Sequence, residues 1–217
     1  MFNHIVTTPT FIFEIIMNRL LILTLSLISA PLFAAPQIDN AGSQHETAIF
    51  AGGCFWCMEP PFDKLDGVIS TTSGYTSGHQ KNPTYREVSA GRTGHTEAIE
   101  IVFDTDKVSY SELLEIFWKN IDPVAVNRQF CDAGTQYRSG IYYQNKSQES
   151  AARQSLHQLE KNKPFKEDIA TEIVTASTFY PAEDYHQDYY QKNPLRYKYY
   201  RYSCGRDQRL NEIWGTK

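Results

Sequence analysis

One decapeptide, Ala48-Ile49-Phe50-Ala51-Gly52-Gly53-Cys54-Phe55-Trp56-Cys57, carries more structural information than any other part of the chain. Its first five residues form a short apolar run that predicts a strand, and the glycines allow a tight backbone turn after it. We therefore place Cys54 on a strand-to-helix turn. Cys54 and Cys57 have CxxC spacing, so their sulfurs can cycle between dithiol and disulfide.

Cys54 is the candidate nucleophile of this turn. A helix start directs unpaired N–H groups and the positive end of the helix dipole toward the sulfur, which favours thiolate over thiol. The alternative is that Cys54 and Cys57 form half of a structural zinc site. No second CxxC or HxxxH motif follows, and Met58 replaces the histidine of a haem-attachment CxxCH motif. We therefore favour redox chemistry.

The segments after the CxxC motif indicate the fold class. Pro60 and Pro61 suggest that the first helix begins nearer Pro60 than Cys54, and a Gly-, Ser-, Asn- and Pro-rich loop is expected at 73–84. The order β-α-β-β-α-β, then α-β, predicts an α+β two-layer sandwich with a mixed sheet and a ferredoxin-like split βαβ core. A long irregular C-terminal tail, rich in tyrosine, is expected to pack on the body. The other predicted strands are 67–72, 97–103, 139–144 and 169–174, and the other predicted helices are 109–118 and 146–161.

The N-terminal residues have the three-part layout of a secretory signal. Reading from Met17, a basic start precedes the apolar run Leu20–Ile28 and a small-residue site with cleavage after Ala34. We expect residues 1–34 to be a signal peptide, with Met17 as the translation start, and 35–217 to be one domain. The protein would then be exported, in a bacterium to the periplasm, and cytoplasmic if the signal is not used. An uncleaved anchor is the alternative, but the apolar run is short for a membrane span.

Composition limits the partners and the size of the core. The net charge of −4 gives no basic field for nucleic acid, and a chain of 217 residues suits one packed domain once the signal is removed. We expect a monomer without stable membrane association after cleavage. Four cysteines in an exported chain would ordinarily suggest structural disulfides, although a core of this size does not require them.

Four short motifs resemble the peptide methionine sulfoxide reductase A family, and the likeness runs from about Ile49 to Gln191. Their shared order and compatible spacing make the match specific. The motifs are Gly53-Cys54-Phe55-Trp56, Asn82-Pro83-Thr84-Tyr85, Gly94-His95-Thr96-Glu97-Ala98 and Asp132-Ala133-Gly134-Thr135-Gln136-Tyr137-Arg138-Ser139. The resemblance implies an α+β sandwich akin to the ferredoxin-like arrangement. It also implies reduction of the S epimer of methionine sulfoxide, free or in proteins, without a metal or an organic cofactor.

The residue types fit that chemistry. Attack by a thiolate on a sulfoxide sulfur requires proton or hydrogen-bond donors at the sulfoxide oxygen. Glu97 can supply the proton if burial raises its pKa, and the resemblance assigns it this role, with the hydroxyls of Tyr85 and Tyr137 also contacting the oxygen.

The resemblance and the residue types also indicate how the substrate is bound. Phe55 and Trp56 would form an aromatic cage for the S-methyl group. By resemblance, Asp132 helps to bind the substrate, and His186 supports the pocket from behind without a catalytic role.

A second thiol must resolve the sulfenic acid left on Cys54 by forming a disulfide with it. Cys57 is nearest in the sequence, while Cys204 lies where many family members carry a C-terminal resolving cysteine, so a relay from Cys57 to Cys204 stays open. We interpret Cys131 as a bystander thiol. The product disulfide would be exchanged away by a thioredoxin-like reductant.

Two functions remain as alternatives. CxxC alone would support a thiol-disulfide oxidoreductase acting on protein cysteines, and a zinc-binding module would use Cys54 and Cys57 as ligands. The oxidoreductase alternative lacks the usual thioredoxin-like βαβ layout and does not explain why Tyr85, Glu97 and Tyr137 occur together.

Overall fold

The computed structural model describes residues 45–215 and contains a six-stranded sheet, a two-stranded ribbon and seven helices within that range. The strands are β1 His45–Gly52, β2 Val68–Thr76, β3 Thr96–Asp104, β4 Arg128–Gln129, β5 Asp132–Ala133, β6 Ser139–Tyr143, β7 Glu172–Thr175 and β8 Tyr180–Pro181. The helices are α1 Phe55–Asp63, α2 Tyr85–Ser89, α3 Tyr110–Lys119, α4 Lys146–Asn162, α5 Tyr189–Lys192, α6 Pro194–Ser203 and α7 Arg206–Trp214.

The main sheet has the strand order β7-β6-β1-β3-β2-β8. Strands β1 and β2, which α1 connects, lie on either side of β3 and run antiparallel to it. Strand β6 pairs antiparallel with β1 and parallel with β7, so the sheet is mixed. The predicted α+β class with a mixed sheet is confirmed.

Most of the core lies on one face of this sheet. Side chains alternate between the two faces of a strand, so Phe50 on β1 and Ile99 and Ile101 on β3 share a face. Helices α1, α3 and α4 cover these residues. Their buried contributions to this core are large apolar side chains such as Phe62 and Phe117, except for Ala152 of α4. The opposite face carries a smaller cluster around Tyr142 and Ile49, against which Phe179 packs.

Two predicted boundaries near the site are wrong. Helix α1 begins at Phe55 and includes Pro60 and Pro61, because its buried face packs against the sheet and outweighs the missing proline N–H groups. The loop expected at 73–84 is shorter, since β2 continues through Thr76 and pairs with β3 to its end.

The prediction of an irregular C-terminal tail is also wrong, because the segment after Asp188 forms α5, α6 and α7. It does pack on the body. Trp214 donates its indole N–H to the carbonyl of Ile121 at 3.1 Å. The buried guanidinium of Arg206 donates to the carbonyls of Gly52 and Asn120.

The predicted signal peptide, the start at Met17 and the cleavage after Ala34 lie outside the described residues. Within residues 45–215, none of the helices has the length and apolarity that crossing a membrane requires.

Candidate active site

The turn between β1 and α1 presents Cys54 to the site. Gly53 has φ of +82°, and a Cβ on it would lie 2.5 Å from Cβ of Gln129, so both the backbone and the available space require glycine. Cys54 follows as the residue that caps α1, and only 7% of its surface is exposed. The predicted strand-to-helix turn is confirmed.

A cavity of about 70 Å³ lies over the Cys54 sulfur. A water molecule occupies about 30 Å³ in the liquid, so the cavity has room for a group of only a few heavy atoms. The structure brings seven predicted residues together here and adds an eighth, Tyr200. The lining residues are Cys54, Phe55, Trp56, Tyr85, Glu97, Asp132, Tyr137 and Tyr200.

Glu97 supplies a buried carboxyl to this cavity from β3. Its side chain is 1% exposed, and its Oε2 accepts a hydrogen bond from the N–H of Phe55 at 3.2 Å. Burial raises the pKa of Glu97 to about 8, although the Phe55 N–H acts in the opposite direction. Glu97 is therefore protonated near neutral pH, as its predicted role as an acid requires.

Tyr85 and Tyr137 reach the same cavity from separate elements. Tyr85 begins α2, and its backbone N–H is held by Oε1 of Glu183 at 2.9 Å. Tyr137 is the last residue of a short 3-10 turn. The hydroxyl of Thr96, on β3, donates to the carbonyl of Gln136 in this turn at 3.2 Å and so anchors it to the sheet. Burial raises the pKa of both phenols, and the nearby Glu97 adds to the rise. Both hydroxyls therefore remain hydrogen-bond donors.

Asp132 also lines the cavity, from the start of β5. Burial raises the pKa of its carboxyl, while the hydrogen bond from Tyr200 lowers it. The O–H of Tyr200 donates to Oδ2 of Asp132 at 2.5 Å. Asp132 is thus placed to accept a hydrogen bond from a ligand, which fits its predicted binding role.

The aromatic wall of the cavity is held from behind by His186. The indole N–H of Trp56 donates to Nδ1 of His186 at 3.0 Å, and the imidazole lies 4.9 Å from the ring of Phe55. Burial lowers the pKa of His186 to about 4, so the ring is neutral and Nδ1 can accept. Tyr189 stacks on Trp56 with ring centroids 3.7 Å apart. These contacts fix the ring orientation of Trp56.

The pKa values of the two free thiols shift in opposite directions. Burial raises the pKa of Cys54 well above its ordinary value, and the hydrogen bond to Cys57 and the charge of Glu97 add to the rise. The hydrogen bond from Cys54 lowers the pKa of Cys57 to about 6, with a further contribution from Arg206, although burial acts in the opposite direction. The directions of these shifts favour ionisation of Cys57 before Cys54 in the free site, and the thiolate at Cys54 stays a prediction.

The other two cysteines form a disulfide. Cys131 and Cys204 are bonded across 73 residues, whereas Cys54 and Cys57 are free. The interpretation of Cys131 as a bystander thiol is wrong, and Cys204 is not a free thiol available to Cys54 in this state. Within residues 45–215, the His, Cys, Asp and Glu side chains close enough to share a metal ion are Cys131, Asp132 and Cys204, and their sulfurs are bonded to each other. These residues add no ligand to the zinc alternative for Cys54 and Cys57.

Three C-terminal residues at the site were not assigned to it from the sequence. Tyr200 lines the cavity, Tyr189 stacks on Trp56, and Arg206 donates to the carbonyl of Gly52 beneath the nucleophile turn. The only sequence signal for them was the density of tyrosine and arginine after residue 185, which does not identify individual positions.

Comparison with known proteins identifies the family of this chain. The family model described as peptide methionine sulfoxide reductase matches residues 46–217. The peptide methionine sulfoxide reductase MsrA of Bacillus licheniformis is 49% identical over 80% of this chain and 96% of that relative. The protein of the same name from Bacillus subtilis is 48% identical over 79% of this chain and 97% of that relative.

A solved structure extends the likeness to three dimensions. Methionine sulfoxide reductase A of Corynebacterium diphtheriae has 38% sequence identity and a TM-score of 0.63, covering 70% of this chain and 76% of that chain. An α+β fold with a buried cysteine pair, a protonated carboxyl and an aromatic wall defines a thiol-based oxidoreductase. The chain belongs to the peptide methionine sulfoxide reductase family.

Proposed function

We propose that this protein reduces the S epimer of methionine sulfoxide, free or within proteins, to methionine, with Cys54 as the attacking sulfur. The observation that carries the proposal is the small cavity in which Cys54 faces a protonated Glu97 and the aromatic wall of Phe55 and Trp56. The cavity accepts a methyl sulfoxide group and little more, so the rest of the substrate stays outside and its chemistry is not restricted.

The reaction at the sulfoxide needs three contributions. Glu97 donates a proton toward the oxygen, and the hydroxyls of Tyr85 and Tyr137 donate hydrogen bonds to it as negative charge develops. The rings of Phe55 and Trp56 hold the S-methyl group and exclude water from the reacting sulfur. Because the oxygen and methyl sites are fixed on different walls, only one configuration at sulfur presents both groups correctly.

The sulfur of Cys54 attacks the sulfoxide sulfur and takes the oxygen. The thiol and the sulfoxide become a sulfenic acid and a sulfide, so atoms balance within this step. Cys57 accepts the hydrogen bond of the Cys54 thiol and has the lower pKa of the pair. It can therefore receive the Cys54 proton as the attack proceeds, and the same proton is available for the water released later.

Cys57 is the first resolving thiol in this proposal. It lies one helical turn from Cys54, whereas Cys204 is already bonded to Cys131. Attack of Cys57 on the sulfenic acid forms the Cys54–Cys57 disulfide and releases water. All four cysteines of the chain are then in disulfides, so the next turnover needs two electrons from another molecule.

A thioredoxin-like dithiol is the reductant in this proposal. One of its thiols would form a mixed disulfide with the enzyme and the other would displace it, leaving Cys54 and Cys57 reduced and the partner oxidised. A dithiol suits this step because its second thiol displaces the mixed disulfide within the same complex, whereas a monothiol needs a second molecule to do so.

Single-turnover chemistry tests this function. Enzyme with Cys54 and Cys57 reduced and the Cys131–Cys204 disulfide intact is mixed with a methionine-S-sulfoxide peptide or its R epimer, and the methionine formed and the cysteine pairings are measured by mass spectrometry. We expect about one methionine per enzyme from the S epimer only, a Cys54–Cys57 disulfide, and no product from Cys54→Ser. Formation of a Cys54–Cys204 disulfide at normal speed in Cys57→Ser would contradict the role of Cys57. Insulin reduction without sulfoxide reduction would favour the thiol-disulfide oxidoreductase.

Export and a monomeric state are part of the proposal. The layout of residues 1–34 supports export, and so does the Cys131–Cys204 disulfide, because disulfides persist mainly in oxidising compartments. Recovery of a mature chain beginning at Ala35 from the periplasm, at the mass of a monomer, is the expected result. Full-length protein in the cytosol alone would contradict it.

The ferredoxin-like assignment of the core is also a proposal. Its support is the flanking of β3 by β1 and β2, which α1 connects, together with β6 on the outer side of β1. The remaining strands and α5 to α7 are additions to that core.

A further inference from the structure

Tyr200 reaches the active-site cavity from a helix with little other attachment to the body. None of the ten residues of α6 is buried, and Leu195, Tyr199 and Tyr202 are 75–85% exposed. A helix without a buried face gains little free energy from packing. Specific contacts must therefore hold α6, and with it Tyr200, against the cavity.

The hydroxyl of Tyr200 makes one such contact with a residue of the proposed binding site. It donates to Oδ2 of Asp132 at 2.5 Å, and its ring meets Trp56 edge to face with centroids 5.8 Å apart. Burial, with Cys54 and Asp132 as further causes, raises the pKa of the Tyr200 phenol, so it keeps its proton. Tyr200 thus joins the polar wall of the cavity, at Asp132, to the aromatic wall, at Trp56.

A covalent bond lies beside this hydrogen bond. Cys131 immediately precedes Asp132, and Cys204 follows Tyr200 by four residues, one helical turn further along the same side of α6. The N–H of Cys131 also lies 3.2 Å from Sγ of Cys204. The disulfide, called here the Cys131–Cys204 clamp, therefore ties together the two chain segments that carry Asp132 and Tyr200.

We propose that Tyr200 is a positioning residue for sulfoxide binding, and that the Cys131–Cys204 clamp keeps it on Asp132. The inference rests on the proposed function and adds a role for two cysteines that the chemistry at Cys54 does not use. With the clamp closed, the carboxylate orientation and the position of Trp56 are set before the substrate arrives, so less ordering is needed on binding. The clamp should therefore affect substrate affinity more than the chemical step.

Cys57→Ser enzyme is the background for the test, because its Cys54 cannot form the CxxC disulfide and the clamp can stay closed without added reductant. In this background we compare the parent, Tyr200→Phe, Cys131→Ser, the double variant, and the parent after chemical reduction of the clamp. Tyr199→Phe, exposed on the same helix, is the matched control. The readouts are the half-saturating concentration of a methionine-S-sulfoxide peptide and the maximal rate of a single turnover.

The expected result is a split between the two readouts. Loss of Tyr200's hydroxyl, of Cys131, or of the closed clamp should each raise the half-saturating concentration about 3- to 10-fold, as expected for one hydrogen bond, with the maximal rate within about twofold. The double variant should be no worse than the weaker-binding single variant, since both changes remove one contact. Tyr199→Phe should match the parent.

Three results would overturn the inference. The first is an unchanged half-saturating concentration in both Tyr200→Phe and the chemically opened parent. The second is a double variant in which the effects of Tyr200→Phe and Cys131→Ser on the half-saturating concentration multiply. The third is a fall in the maximal rate with no change in the half-saturating concentration. The chemically opened parent carries no clamp substitution, so misfolding of Cys131→Ser cannot obscure the outcome. Absence of methionine from the wild-type enzyme under the same conditions would overturn the proposed function as well.

Discussion

The N–H of Phe55 donates to Oε2 of Glu97 at 3.2 Å, which joins the residue after the nucleophile to the proposed acid. This hydrogen bond uses an N–H at the start of α1 that has no partner within the helix. It also holds the Glu97 carboxyl beside the reacting atoms. The same contact therefore positions the acid and satisfies one of the N–H groups at the start of α1.

The rate of the sulfoxide step should depend on the proton of Glu97. Since its pKa is about 8, the single-turnover rate should fall as pH rises through about 8, where the carboxyl becomes a carboxylate that cannot donate. Glu97→Gln should lower the rate by roughly 10² to 10⁴ and remove this alkaline decline. The measurement is the rate of methionine formation from pH 6 to 10.

Glu100→Gln provides the control for that experiment. Glu100 lies three residues along β3, so its side chain is on the other face of the sheet. It should keep both the wild-type rate and the alkaline decline. A decline near pH 8 that persists in Glu97→Gln would assign it to another group.

The thiolate of the free enzyme should belong to Cys57. Ultraviolet absorbance of the reduced enzyme should show a thiolate appearing with a midpoint near pH 6, the pKa of Cys57. Cys54→Ser should retain the transition, because a serine hydroxyl can donate the same hydrogen bond, and Cys57→Ser should lose it. The opposite pattern would place the thiolate on Cys54.

Gly53→Ala should lower the stability of the protein more than Gly205→Ala, although both glycines have positive φ. Gly53 and Gly205 both have positive φ, at +82° and +68°, but only at Gly53 would a Cβ meet another atom, Cβ of Gln129 at 2.5 Å. We expect Gly205→Ala to cost about 1 to 2 kcal/mol from φ alone. Gly53→Ala should cost about 1 to 3 kcal/mol more and should displace Cys54.

Denaturant unfolding and single-turnover rates measure these effects. Gly205→Ala should keep the wild-type rate of methionine formation at saturating substrate, and Gly53→Ala should lose most of it. Equal losses of stability and rate in the two variants would mean that the contact with Gln129 has no role.

Glu59 should make the protein less stable as the solution becomes more alkaline. This carboxyl on α1 is 1% exposed, and burial raises its pKa to about 7, although the Ser73 hydroxyl acts in the opposite direction. The unfolded chain releases the proton near pH 4.5, whereas the folded chain retains it until about 7. The contribution of Glu59 to stability is therefore complete below pH 4.5 and is lost by about pH 7, for a total of roughly 3 kcal/mol.

The measurement is the free energy of unfolding of wild type minus that of Glu59→Gln between pH 4.5 and 8. Taking the difference cancels His186, whose lowered pKa changes stability in the opposite direction. The difference should fall with rising pH. Glu115→Gln, exposed on α3, should show a constant difference, and a constant difference for Glu59→Gln would contradict the prediction.

The sequence was sufficient for most of the framework. The order of strands and helices follows from apolar periodicity and turn residues, which are local properties. The Gly-Gly turn before Cys54 could likewise be predicted because glycine is the residue that positive φ favours. The irregular tail was predicted wrongly because α6 has no buried apolar face, so the pattern that signals a helix is missing from its sequence.

The sequence by itself determined the chemical groups available to the protein: a CxxC pair on a strand-to-helix turn, two aromatic residues beside it, and an acid and two tyrosines in recognisable motifs. Only the tertiary structure decided which cysteines are paired, which tyrosine of the tail enters the cavity, and in which directions the pKa values of the two free thiols shift. These properties depend on burial and on contacts between residues that are far apart along the chain. The bond between Cys131 and Cys204 spans 73 residues, and desolvation by several separate elements sets the pKa values of Cys54 and Glu97.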